Sequence, residues 1–133
     1  GLQAWYDGEY ESAAARFERS LHSFPEFAMT NYYLAVCYQE MDKWDWAVRR
    51  FDLALQLTRS GDLAHQVAVR RIAHEAGVPV VDMPMLLELN AAPDLFIDAG
   101  HLGPAGYEIQ ARETLRVLAP LLEVDPERLN PGE

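Results

Sequence analysis

Apolar residues along the first sixty positions recur at helical spacing. Ala47, Phe51, Ala54 and Leu55 fall at i, i+4, i+7 and i+8, the apolar stripe of one helix. Leu34, Ala35 and Tyr38 follow the same period on the helix before it. The pattern also repeats on a longer scale. When the chain is displaced against itself so that Gly8 falls on Asp42, Tyr10 meets Trp44, Ala13 meets Ala47 and Phe17 meets Phe51. In the same register, without gaps, Ser20 meets Ala54 and Leu21 meets Leu55. That period belongs to helix–turn–helix solenoid units. Small Ala35 and Ala47 allow close helix approach, and Tyr38, Trp44 and Phe51 fill the space around them. Asp42-Lys43 supplies a short turn, and Pro25 marks a helix end because it cannot continue one. This pattern predicts four helices in two antiparallel hairpins over residues 1–58.

Beyond residue 61 the long period stops. Asp62–Ala76 reads as a further amphipathic helix, with Gly77 as its natural stop. Val78-Pro79-Val80-Val81-Asp82 is short and apolar, which predicts a buried strand near 78–82. Helix, glycine, apolar strand and terminal acid is the rhythm of a parallel α/β sheet. Met83–Leu89 reads as a short helix or loop, broken at Asn90-Ala91-Ala92-Pro93. Pro104, between Gly103 and Gly106, suits the first turn of a helix. That helix is expected over 104–122, through Ile109, Ala111, Leu115, Leu118 and Leu122. A strand without partners leaves backbone groups unpaired. Exposed apolar surface is therefore expected along Val78–Val81 and on one face of residues 108–122.

Composition narrows the function classes. Lys and Arg number 11 against 21 Asp and Glu, for a net charge of −10. That balance opposes a nucleic-acid partner, which would need a basic patch. No apolar run is long enough to predict a membrane span. Cys37, the single cysteine, cannot form an internal disulfide and reads as core packing within its helix. His22, His65 and His74 lack the spacing of a helical metal site. No metal or cofactor is implied, and nothing indicates a compartment.

Asp98 and His101 form the one constellation with chemical potential. A carboxylate three residues before a histidine can accept the Nδ1–H of the imidazole and fix its tautomer, leaving Nε2 to take a proton from a nucleophile. Ala99 and Gly100 permit the tight turn between them. Asp-x-x-His pairs also cap helices or make surface contacts, so spacing alone leaves both readings open.

Two resemblances extend this picture. Leu34, Ala35, Tyr38, Ala47, Phe51 and Ala54 in the second unit, and Gly8, Tyr10, Ala13, Phe17, Ser20 and Pro25 in the first, resemble tetratricopeptide repeats. Asn31 stands where tryptophan is favoured and Arg59 where proline is common. In the first unit Gly1 takes the small-residue position in mid-helix, so that unit reads as cut open. The run Gly77–Asp82, followed by Leu95–Tyr107, resembles the C-terminal end of SGNH (GDSL-type) hydrolases, which are flavodoxin-like α/β/α ester hydrolases. The resemblance implies Asp98 as catalytic acid, His101 as base and Gly106 as the glycine of the following helix start. Leu102-Gly103 departs from the residues common after that histidine.

The Gly-Asp-Ser nucleophile motif of that family has no counterpart here. Ser12, Ser20, Ser23 and Ser60 all lie in the repeat region, and Asn31, Asn90 and Asn130 lack the context of an oxyanion hole. Some SGNH-like proteins carry tetratricopeptide repeats ahead of their final Asp-x-x-His block. The chain is therefore expected to be mainly α, with two tetratricopeptide-like hairpins (1–61) followed by a partial α/β SGNH segment (62–122) and an acidic tail (123–133). The nucleophile is expected upstream of Gly1. The implied partners are an ester substrate and a protein or peptide held by the repeats through Asn31 and Gln39. The alternative is a non-catalytic repeat scaffold.

Overall fold

The computed structural model describes residues 8–90 and 101–122. They form six helices: α1 (Tyr10–Ser23), α2 (Ala28–Glu40), α3 (Trp44–Leu57), α4 (Gly61–Ala76), α5 (Met83–Asn90) and α6 (Pro104–Leu122). The mainly α class expected from the periodicity is what the described residues show. The chain divides into two compact units, one running to Gly77 and one starting at Val78.

In the first unit the helices end where local chemistry stops them. Pro25 follows α1, whose last turn closes with the Phe24 N–H donating to the Ser20 carbonyl at 2.9 Å. After α2 the Lys43 N–H reaches the Tyr38 carbonyl at 2.8 Å and the Asp42 N–H reaches that of Gln39 at 3.0 Å. This pair of bonds is the Schellman closure, which needs a left-handed residue at its centre. Asp42 takes that role with φ +60°. Gly8, its counterpart one repeat earlier, has φ +72°, and Gly77 has φ +69° after α4. The sequence repeat is thus also a repeat of backbone conformation. α1 and α3 start one period apart, at Tyr10 and Trp44, and α2 and α4 start within one residue of it, at Ala28 and Gly61. α4 therefore stands in register with α2 as another copy of the first helix of the unit, while the first of the four helices expected over residues 1–58 falls on residues 1–7, outside the described residues.

The contacts make α2–α3 and α3–α4 antiparallel neighbours. Tyr38 of α2 meets Trp46 edge-on at 5.5 Å, while Tyr32, nearer the start of α2, lies 5.7 Å from Phe51. Trp44 at the start of α3 stacks on His74 near the end of α4, with ring centroids 3.7 Å apart. Further along α3, Asp52 pairs with Arg71. α2 is the central helix and is buried on nearly every side, at Asn31, Tyr32, Leu34, Ala35, Val36, Cys37 and Tyr38. A helix with no solvent stripe of its own needs cover on both sides. α1 and α3 provide it. Ala47, Phe51 and Ala54 are fully buried on α3, as their spacing predicts.

Two tight polar links cross this core. Arg70 of α4 is buried, donating from Nε to the Tyr32 hydroxyl at 2.9 Å and from Nη1 to the Gln39 Oε1 at 3.1 Å. The Tyr38 hydroxyl donates to Glu18 of α1 at 2.5 Å. Burial, and then the bond to Glu18, push the Tyr38 phenol up to about 12. Burial first, and then the Glu40 charge, also raise the Cys37 thiol to about 12. Groups whose folded pKa exceeds the unfolded value stabilise fully below the unfolded pKa and lose that contribution as pH rises through the folded one. The thermal midpoint of the chain should therefore fall between about pH 9 and 12. Tyr38→Phe should show a smaller fall. An identical fall in that variant would contradict the role of the Tyr38–Glu18 link.

The second unit departs from the sequence reading in one element. Residues 78–82 form neither helix nor strand, in place of the expected strand. The apolar run has no strand to pair with among the described residues, and a lone strand gains no ladder bonds. Asp82 instead caps α5, its buried Oδ1 accepting the Met85 N–H at 3.1 Å. α5 packs against α6, and its Met85 and Leu86 are both buried. α6 begins at Pro104, where a missing N–H costs nothing. Its first-turn bond runs from the Tyr107 N–H to the Gly103 carbonyl at 3.0 Å.

Gly106, Glu113 and Ala119 face inward, whereas Leu118 and Leu122 are exposed. Glu113 is buried because Arg116 neutralises it through two bonds, at 2.7 and 2.9 Å. Val78, Val81, Leu118, Leu121 and Leu122 are all exposed, as expected for an apolar face on these segments.

Candidate functional site

His101 sits three residues ahead of Pro104, the first residue of α6. It is exposed, and the chain turns inward immediately after it, with Leu102 half-buried and Gly103 buried. The helix is fixed to this loop by the Gly103 carbonyl, which accepts the first-turn N–H. Gly106, one turn into α6, is buried. The imidazole is thus carried on a short anchored segment with its ring accessible to solvent. Asp98 lies outside the described residues.

The second unit offers no nucleophile. From Gly61 onward the sequence contains neither serine nor cysteine. Its one hydroxyl of comparable reach, Thr114, donates back to the Gln110 carbonyl at 2.7 Å within α6. Ser12, Ser20 and Ser23 are exposed on α1, and Ser60 directly precedes α4. Cys37 is buried and its thiol is held protonated, which suits packing and not nucleophilic attack.

The expected polar residues of a repeat groove are turned to structural use. The buried Asn31 amide donates to the Pro25 carbonyl at 3.2 Å and the Phe27 carbonyl at 3.0 Å, and its Oδ1 accepts from Arg50 at 3.1 Å. Asn31 thereby ties the Pro25 carbonyl of the α1–α2 turn to the start of α2, where the Phe27 carbonyl also accepts the Asn31 backbone N–H. Gln39 accepts from Arg70. Neither amide oxygen is offered outward to a peptide in this arrangement. The signal for Asn31 was its position shortly after a proline turn, where a side-chain donor is most useful.

Sequence reasoning also missed Arg70 and Glu113, two buried charges. Among the described residues no cluster of three or more His, Cys, Asp or Glu side chains could hold a metal ion. No described helix is long and apolar enough to cross a membrane. No family model matches the chain, and no curated protein and no solved structure matches it.

Proposed function

We propose that this chain is the distal part of a serine ester hydrolase of SGNH type, in which Asp98 and His101 act as catalytic acid and base. The observation that carries this reading is the Asp98-x-x-His101 pair, with His101 exposed three residues before a helix that starts at Pro104. A general base needs access to the substrate proton and a fixed ring orientation. The anchored loop supplies the first, and a carboxylate three residues back supplies the second. In the complete enzyme His101 takes the proton of a serine that attacks the ester carbonyl. The same imidazole then protonates the departing alcohol. Water, deprotonated by His101, resolves the acyl-enzyme and frees the serine.

The chain carries no Gly-Asp-Ser segment, and on this reading the serine would be supplied by polypeptide outside these residues. Residues 78–82 would there gain the strand neighbours that their apolar run calls for. A second reading, a repeat scaffold that holds a protein partner, is favoured by the repetition of helix and left-handed turn in the first unit.

Hydrolysis of a short-chain aryl ester separates the two readings. The full polypeptide should turn the ester over, and the 133-residue chain alone should not. Robust turnover by the chain alone would overturn the assignment of the nucleophile. An inactive full polypeptide, folded and carrying a Gly-Asp-Ser segment, would favour the scaffold.

A further inference from the structure

On α3, the core takes up Ala47, Phe51 and Ala54 and leaves a second apolar row facing outward. Trp46, Leu53 and Leu57 stand at i, i+7 and i+11, which places them on one line along the helix. All three are exposed, Trp46 at 56%, Leu53 at 38% and Leu57 at 37%. Arg49 and Arg50 stand between them, one on either side of the line. α3 packs against α2 and against α4. The row is therefore a lateral face of a complete helix pair with a further helix beside it, and does not arise from an end of the repeat. Trp46 is exposed yet held. Its ring meets Tyr38 edge-on with centroids 5.5 Å apart, and the Lys43 ammonium lies 6.0 Å from its centroid. A ring fixed in advance loses little rotamer freedom when a partner covers it.

The charges along the row are mostly of one sign. Lys43, Arg49 and Arg50 border it, in a chain whose net charge is −10. The carboxylates of α3, Asp45 and Asp52, share another side of the helix at i and i+7, and Asp52 is taken up by Arg71 of α4. Glu18 of α1 accepts the Tyr38 hydroxyl. Arg50 gives one N–H to Asn31 and keeps the rest of its guanidinium fork. Arg49 is exposed and makes no hydrogen bond or ion pair among the described residues. We propose that this strip docks an acidic amphipathic helix of a partner protein. Apolar residues of that helix lie on Trp46, Leu53 and Leu57, and its Asp or Glu side chains meet Arg49 and Arg50, whose planar forks suit carboxylates. Trp and Arg are the residue types that most often carry the binding energy of an interface. From Trp46 to Leu57 the strip runs about 16 Å, the length of about three helical turns. So short a partner touches the cationic strip alone, whereas an extended polyanion also meets the acidic remainder of the chain. The proposal rests on the first unit and is independent of the hydrolase reading.

Fluorescence anisotropy of a labelled synthetic peptide, titrated with the 133-residue chain, tests it. The probe is an amphipathic helix with Leu at i, i+4, i+7 and i+11 and Glu on both flanks, and its control has Lys in place of every Glu. The wild type should bind the Glu peptide saturably, and the Lys peptide about tenfold more weakly or worse. Trp46→Ala should weaken binding of the Glu peptide by about tenfold or more. Arg49→Glu should weaken the Glu peptide and strengthen the Lys peptide, a reversal that a misfolded variant would not show. Both positions are exposed, and far-UV circular dichroism should show unchanged helicity. A wild type that does not bind the Glu peptide would overturn the proposal. Equal affinity for the two peptides, or binding unchanged in either variant, would overturn it as well. So would self-association of the chain that Arg49→Glu abolishes, since the strip would then belong to a second copy. Retention on anionic phospholipid vesicles that Trp46→Ala abolishes would give the strip to a membrane and overturn it too.

Discussion

Phe51→Ala should destabilise the first unit by about 3–5 kcal/mol, the usual range for removing a fully buried phenylalanine. The ring is completely buried on α3 and lies between Tyr32 of α2, 5.7 Å away, and Trp44, 6.1 Å away. Neither neighbour is well placed to fill the space. Tyr32 is held by the Arg70 bond to its hydroxyl, and Trp44 is stacked on His74. Relaxation into the cavity would forfeit one of those contacts. Single domains have total stabilities of about 5–15 kcal/mol, so such a loss is a large share of the whole. Urea unfolding followed by circular dichroism should show a lower midpoint at unchanged slope. Leu53→Ala, at an exposed position on the same helix, should change stability by only about 0.5 kcal/mol. Equal effects of the two substitutions would mean that the repeat core does not close around Phe51.

The second large effect concerns the reaction. His101→Ala in the complete polypeptide should lower kcat for aryl ester hydrolysis by about 10²–10⁴-fold. No other side chain in residues 98–107 can take the proton of a serine hydroxyl as a neutral base and return it as an acid near neutral pH. KM should change far less, because the proton transfer is made only in the transition state. Asp98→Asn should also lower kcat, by about 10²-fold or more, since an amide favours the wrong imidazole tautomer and leaves the imidazolium unsupported. Wild-type rates in His101→Ala would remove the catalytic assignment altogether.

Much of the first unit was legible because its signals are local. Pro25, Asp42 and Gly77 stop helices by chemistry that acts over four or five residues. The small–aromatic pattern of Ala47, Phe51 and Ala54 has a single helical solution. The absence of a strand at 78–82 was not legible, since a run of four apolar residues before Asp82 reads the same in a strand and in a loop. Only pairing partners decide between them.

Which faces of α4 and α6 turn inward was not legible for a related reason. Both helices carry apolar residues on more than one side, so periodicity alone left Val67 and Ile72 equivalent. The choice was made by the buried Arg70 on α4 and the buried Glu113 on α6. Those charges read as solvent-facing until Tyr32, Gln39 and Arg116 are seen to satisfy them. At the candidate site, the helix start at Pro104 and the exposure of His101 follow from the proline and glycines around them. No nucleophile was legible at all, since the sequence contains no Gly-Asp-Ser segment.

The claim at the centre of this account is that the Asp98 carboxylate orients the His101 ring, and it can be tested on the 133-residue chain itself. Long-range ¹H–¹⁵N NMR reports which ring nitrogen of a neutral histidine carries the proton. The account predicts that His101 holds its proton on Nδ1, donated to Asp98, with Nε2 left as the acceptor. Asp98→Asn should abolish that preference. A proton on Nε2 in the wild type, or a tautomer unmoved by Asp98→Asn, would contradict it.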